Sequence, residues 1–485
     1  MLLNENAKQI TLAAASQERT LTRNQPRGYQ NLANTATQLK LANGNTALVI
    51  VPTGGGKTFL MAMLGARLLV NDGAEKVLVL QRSVTLLSQN RASIENQIGH
   101  HGLSTSVVRS VQNDWSGDIV FGTMASVAQP ERLAGAPAVS HLIIDEAHHS
   151  ACKSFRRIVE TLRAANPGLK VILYTATPIR GDRKPIAAES EIAYQISYAE
   201  LIDQGILVPV RTFSIDLGLK ADFADVAKRR GEHEDRVSSL LDTVPLRRAV
   251  VREWCKHASA RKTVVFCPTI AYAENLLLDF LEEGIKADVV HSGLHTDEVR
   301  DRLEAYAQGR TQVLLNVFML TEGWDDQPTS CVVNLRLMAE KISYLQAIGR
   351  GMRSLDAVRH PGLEKADCLF LDFTGAAHRH GYLEAEIEQE REEEDKRVRK
   401  AKSKDAGRDR LRKQEIDVEL TEIASISPRA PMRALDEEPA ATSLPAVRSH
   451  VRNPDGSWSR TAQFGRRRAP VRSHVRMADG SWKAA

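Results

Sequence analysis

The chain has 485 residues, 42% hydrophobic and 26% charged, an ordinary folded composition with room for about two to four domains. No run of about 18 apolar residues occurs, and the first 20 residues lack the basic-then-apolar pattern of a signal peptide. No membrane-spanning helix is therefore expected, and a cytoplasmic protein with no membrane partner is expected. The five cysteines are far apart with no C-x-x-C pair, which argues against a zinc module or a disulfide framework. The net charge is +5, and nine basic residues against two acidic ones fall in 445–485, leaving 56 of the 65 basic and 58 of the 60 acidic groups for the other 444 residues. The excess positive charge sits in the C-terminal tail, although a local groove can still bind a phosphate backbone.

Short β-branched runs recur at 47–51, 77–80, 119–122, 141–144 and 171–174, with helical patterns such as 58–69 between several of them. Buried apolar strands alternating with helices predict a parallel α/β sheet. A second set follows at 264–266, 287–290, 313–317, 331–335 and 368–371. Two α/β domains are expected, with a boundary near 205–210.

The first candidate site is Pro52-Thr53-Gly54-Gly55-Gly56-Lys57-Thr58, between an apolar strand and a helix. Glycines let several backbone N–H groups approach a phosphate chain, and the helix N-terminus adds the positive end of its dipole. Lys57 would reach the β- and γ-phosphates of ATP, and the Thr58 hydroxyl would ligate Mg²⁺. The second is Asp145-Glu146-Ala147-His148 at a strand end. Asp145 suits Mg²⁺, a hard ion that takes carboxylate oxygen, and Glu146 can polarise an attacking water. His148 and His149 raise zinc, but the spacing is not H-E-x-x-H and no cysteine is near. The third is 346–353, where Arg350 and Arg353 lie i,i+3 on one helical face. Two arginines on a helix are usually solvated; after an intact phosphate loop they read instead as groups that stabilise charge on the γ-phosphate.

The order and wording of these motifs resemble superfamily 2 DEAD/DEAH-box helicases over roughly residues 21–378. In that family the first phosphate-loop glycine is normally absent, so Val51 is no defect. The resemblance implies two tandem RecA-like parallel-sheet domains, at 21–205 and 206–378, after an N-terminal segment 1–20. Arg27-Gly28-Tyr29-Gln30 looks like the adenine-reading motif, with Gln30 on the base edge and Arg27 on the ring. Residues 81–89, with Gln89, and 118–127, with Thr123, resemble the motifs Ia and Ib that grip nucleic acid. Thr175-Ala176-Thr177-Pro178 looks like motif III, which couples hydrolysis to strand binding. Residues 264–269, with Thr269, and His291-Ser292-Gly293 resemble motif IV and its neighbour. Thr321-Glu322-Gly323-Trp324-Asp325 matches motif V, implying Thr321 on nucleic acid and Gly323 and Asp325 near the nucleotide. Motif VI, 346–353, adds Gln346 to the coupling residues. The likeness extends to RadD-type bacterial helicases and related phage-encoded ones through the Arg-x-Tyr-Gln start, the wording of 320–325 and Leu371-Asp372-Phe373-Thr374-Gly375. The chain departs from the RadD type in lacking a cysteine-rich module after the motor.

These features predict an ATP- and Mg²⁺-dependent nucleic-acid helicase or translocase, with DNA favoured over RNA. The alternatives are the motor subunit of a type III-like restriction complex, and a non-catalytic nucleic-acid-binding scaffold. Beyond the motor, 379–430 reads as a charged helical extension. Eight acidic residues in 384–395 precede ten basic ones in 396–413, and the i,i+4 pairs Glu392/Lys396, Glu393/Arg397 and Asp395/Arg399 suggest a solvated, self-paired helix, with a nucleic-acid or partner contact as the alternative. The tail, 431–485, is expected to be poorly ordered. It holds two copies of one phrase, VRSHVRNPDGSW at 447–458 and VRSHVRMADGSW at 471–482, each with an Asp-Gly turn signal. The repeats read as a passive basic tail, a protein-docking module or a nucleic-acid anchor.

Overall fold

The computed structural model describes residues 24–396 apart from 83, 148–151, 177–185, 187–190, 220–221, 224–225, 227–232 and 321–323, together with four short strands within 450–484. The chain divides into two units, 1–407 and 408–485.

The larger unit carries two parallel sheets. The first contains β1 (Thr46–Ile50), β2 (Val77–Gln81), β3 (Thr105–Arg109), β4 (Gln112–Asn113), β5 (Ile119–Thr123), β6 (His141–Ile144), β7 (Lys170–Thr175) and β8 (Ile192–Gln195). Their order is β4-β3-β5-β2-β6-β7-β1-β8, and only the β3–β4 pair is antiparallel. The second sheet contains β9 (Val210–Ser214), β10 (Thr263–Phe266), β11 (Ala287–Val290), β12 (Val313–Asn316), β13 (Cys331–Asn334) and β14 (Cys368–Asp372), in the order β11-β12-β10-β13-β14-β9. The expected apolar runs are all strands, buried along most of their length except β11, an edge strand buried only at Val289 and Val290. Beyond them the structure adds β3, β4, β8 and β9, which lie at or beside sheet edges, where half-exposed positions break up an apolar run.

The larger helices are α1 (Gly28–Ala42), α2 (Lys57–Val70), α3 (Val84–Ile98), α4 (Lys153–Ala165), α5 (His233–Leu241), α6 (Val244–Ala258), α7 (Ile270–Glu282), α8 (Thr296–Ala307), α9 (Lys341–Gly351) and α10 (383–396). Helix α2 is apolar on more than one face because α1 and α3 flank it on the sheet; Leu60, Leu64 and Ala66 are fully buried. One face of the first sheet packs under α4 through Ile158 and Leu162. The other face belongs to a core that runs on into the second domain, taking in Leu201, Leu207, Ile348 and Met352. The far face of the second sheet is covered by α5, α6 and α7.

Helix α10 corrects the expectation of a solvated helix over its described part. Leu383 and Ile387, one turn apart, are buried. Glu384 accepts from the Thr212 N–H and, at 3.1 Å, from its hydroxyl. Glu386 pairs with Lys341 of α9 at 2.5 Å. Glu390 accepts from the Ala199 N–H at 3.0 Å, and Arg391 reaches Asp203 at 2.6 Å. The helix therefore straps both sheet domains. Of the expected pairs, Glu392–Lys396 forms at 3.6 Å in solvent; the other two involve residues outside the described part.

In the second unit each repeat forms an antiparallel pair, His450–Arg452 with Trp458–Arg460 and His474–Arg476 with Trp482–Ala484. Paired strands thus replace part of the expected poorly ordered tail. The two Asp-Gly steps lie outside the described residues.

Candidate nucleotide site

Strands β6, β7 and β1 are adjacent, so the loops after them meet at one sheet edge, where ligands of open parallel sheets bind. The loop after β1 turns on Gly54 and Gly56, with φ of 87° and 96°, a region that suits glycine. A Cβ on Gly55 would fall 2.5 Å from Val51 Cγ1. Helix α2 starts at Lys57, so its first-turn N–H groups, unpartnered within the helix, open at the loop. Motif residues of α1 brace it from behind. The Tyr29 hydroxyl donates to the Gly55 carbonyl, and a Cβ on Gly56 would lie 3.0 Å from Gln30 Nε2. Gln30 is buried, its Oε1 accepting from the Arg27 N–H at 2.9 Å; Arg27 is exposed at the helix cap.

Lys57 donates to the Val51 carbonyl at 3.4 Å and lies 3.7 Å from Glu146 Oε1. Thr58 and Asp145 are joined through a residue the motif reading missed. The Thr58 hydroxyl donates to Asn90 Oδ1 at 3.1 Å, and Asn90 Nδ2 donates to Asp145 Oδ2 at 3.0 Å. Burial and the neighbouring Glu146 raise the pKa of Asp145, and Lys57 opposes them. A divalent cation fits this donor set. The Thr58 proton is spent on Asn90, leaving hydroxyl lone pairs, and a buried carboxylate whose charged form is disfavoured gains from a cation. Mg²⁺ needs no more, since it commonly takes one or two carboxylates plus substrate phosphates. Glu146 has a φ of 50°, a left-handed conformation that costs a non-glycine residue about 1–3 kcal/mol and is concentrated at functional sites. Its N–H bonds Asp145 Oδ1 at 3.0 Å. Thr175 is buried at the end of β7, and its carbonyl accepts from the Val51 N–H at 2.9 Å, tying motif III to the start of the phosphate loop.

The second domain closes on this loop. A Cβ on Gly349 of α9 would fall 2.6 Å from Thr53 Cγ2, and one on Gly54 would fall 3.3 Å from Arg353 Cγ. Arg350 is buried and donates to the Trp324 carbonyl at 2.5 Å; Arg353 donates to the same carbonyl at 3.5 Å and pairs with Asp325. Asp325, expected near the nucleotide, thus holds a motif VI arginine here. The interdomain connection is stitched to the end of α9: the Val208 N–H reaches the Met352 carbonyl at 2.7 Å, and the Ser354 N–H reaches Ile206 at 3.2 Å. Gln346 is buried within α9.

The expected nucleic-acid residues are more scattered. Thr123 is buried and caps the short helix Met124–Val127. Thr269 caps α7 and shares a 2.7 Å hydrogen bond with Ser238. Ser292 is exposed. Thr177, Thr321 and Gly323, and the side chain of Gln89, lie outside the described residues. The sequence did hold a signal for Gly349: a glycine inside a helix costs about 1 kcal/mol against alanine, so its presence marks a close approach.

Residues 23–180 match the family described as "Type III restriction enzyme, res subunit", and residues 246–354 match "Helicase conserved C-terminal domain". The putative ATP-dependent helicase IRC3 of Saccharomyces cerevisiae is 26% identical over 364 residues, covering 72% of this chain and 52% of that protein. The putative mitochondrial ATP-dependent helicase irc3 of Schizosaccharomyces pombe is 28% identical over 348 residues, covering 68% and 54%. The chain therefore spans about half the length of these curated relatives. In fold it is similar to a fragment of a putative HsdR subunit of a type I restriction enzyme from Vibrio vulnificus, with a TM-score of 0.56 at 21% identity, covering 75% of this chain and 67% of that one. With two RecA-like sheets in tandem and a helicase-family match on each, the chain belongs to helicase superfamily 2.

Proposed function

We propose that this chain hydrolyses Mg-ATP between its two sheet domains and uses the cycle to move along or separate strands of nucleic acid. The observation that carries this reading is the contact of Gly349 with Thr53, which sets motif VI against the phosphate loop, where Lys57 stands beside Glu146 from the end of β6. Thr58 and Asp145 would hold Mg²⁺, which when bound neutralises phosphate charge. Lys57 supplies a cation to the same phosphates. Glu146, 3.7 Å from Lys57, orients a water and accepts its proton as that oxygen attacks the γ-phosphorus, leaving ADP and phosphate. Arg350 and Arg353, held by the Trp324 carbonyl, reach the site only while the domains are together. Breaking that contact after hydrolysis changes the grip on a strand bound across both domains.

The restriction-enzyme description of the first match favours DNA over RNA. The same match keeps a second reading open, the motor of a restriction complex; metal-dependent nicking by the purified chain would support it. The test is ATP turnover measured in parallel with single-stranded DNA, duplex DNA, forked DNA and RNA, alongside strand displacement. Greatest stimulation by a DNA supports the reading. Turnover indifferent to every nucleic acid removes it.

A further inference from the structure

The loop that leaves β12 toward the nucleotide site places an aromatic ring in an unusual position. Phe318 is two residues beyond the strand and 54% exposed, so it contributes little to the core. Its φ is 61°, a left-handed conformation that bulky side chains avoid. Strain of this kind collects at functional positions.

The ring is also held. The guanidinium of Arg336 lies 3.8 Å from its centroid. Arg336 is itself buried and fixed by Glu234 of α5 at 3.1 Å, and its N–H donates to Asn334 Oδ1 at 3.0 Å. One turn further along α5, Ser238 bonds the hydroxyl of Thr269 at 2.7 Å. Helix α5 therefore links the ring and its arginine to a residue expected to touch a nucleic-acid backbone. Phe318 also stands three residues before Thr321, where motif V begins.

We propose that Phe318, backed by Arg336, is a stacking platform for one base of a single strand passing over the second domain. An aromatic ring accepts any base because every base has a flat π-face, and the cation–π contact with Arg336 holds this ring in place. The position suits a contact that changes during the cycle, because six residues further along the chain stands Trp324, whose carbonyl holds Arg350 and Arg353. The inference rests on the nucleic-acid reading above and adds a base contact to it.

The test uses the full chain, a fluorescent oligothymidylate and an abasic oligonucleotide of equal length, at one fixed low salt concentration. The parent should bind the base-bearing strand more tightly than the abasic one. Phe318→Ala should weaken the base-bearing strand by roughly fivefold or more, the low end for one aromatic–base stack, and leave the abasic strand nearly unchanged. Phe318→Trp should keep the affinity and gain fluorescence that only the base-bearing strand quenches. Phe318→Gly, which suits the left-handed backbone, should bind like Phe318→Ala while keeping or raising the thermal midpoint, separating loss of the ring from misfolding. Undiminished binding of the base-bearing strand by Phe318→Ala overturns this inference alone and leaves the ring as a protein contact. Failure of the parent to bind either strand overturns it together with the nucleic-acid reading.

Discussion

Gly349 and Thr53 come from different domains and touch so closely that a Cβ on Gly349 would fall 2.6 Å from Thr53 Cγ2. Gly349 is buried in the last turn of α9 and Thr53 is buried in the phosphate loop, so an added methyl forces one of them to shift. Gly349→Ala should hold motif VI away from the loop. A displacement of about 1 Å at a reacting centre lowers rates on the order of 10²-fold. Steady-state kinetics should show that loss in kcat, with nucleotide binding to the first domain retained. Wild-type kcat in Gly349→Ala would mean the contact is incidental to turnover.

Helix α10 should behave as a structural strap. Leu383→Ala removes a buried side chain and should destabilise the chain by about 2–5 kcal/mol. Glu388→Ala, on the exposed face of the same helix, should change stability by no more than about 0.5 kcal/mol. Equal effects from the two substitutions in denaturant unfolding would return α10 to a solvated extension.

His141 gives stability a pH dependence. Burial holds its pKa down, to about 4, with Lys170 acting in the same direction and Asp72 against it. In the unfolded chain it titrates near its usual value of about 6.5. Between those values the unfolded state binds a proton that the folded state does not, so stability rises with pH across that window. It is fully present above about 6.5 and is lost as the pH falls toward 4. The thermal midpoint should fall less steeply over that range in His141→Gln than in the parent. Parallel curves would show that His141 is not the group responsible.

The sequence was most legible where function is local. The phosphate loop and the Asp145-Glu146 pair are contiguous words beside apolar strands, so residue type and order were enough. Asn90 was not legible, because its role depends on α3 folding back to place it between Thr58 and Asp145. The bridge between Leu207 and Arg353 likewise joins segments far apart in the chain. Helix α10 was misread for a different reason: its eight acidic residues drew attention from the i,i+4 pair Leu383 and Ile387, whose burial decides where the helix lies. The edge strands β4 and β8 were missed because a short or half-exposed strand carries no continuous apolar run.

The tail repeats combine arginines with a tryptophan, and the paired strands set Arg452 opposite Trp458 and Arg476 opposite Trp482. Arginine on phosphate with tryptophan on a base suits single strands. Removing residues 445–485 should leave the maximal ATPase rate nearly intact and weaken nucleic-acid binding, with a difference that shrinks as salt rises. Equal affinities at low salt would make protein docking or a passive tail the better account.

The central claim is that Lys57 and Glu146, 3.7 Å apart, serve one hydrolysis step in different ways. The direct measurement is ATP binding and turnover by the full chain, with single-stranded DNA present, in the parent, Lys57→Ala and Glu146→Gln. Lys57→Ala should lose turnover because the phosphates lose their positive partner. Glu146→Gln should bind ATP as the parent does and lose turnover because the water loses its base. Near-parental turnover in both variants would contradict the account.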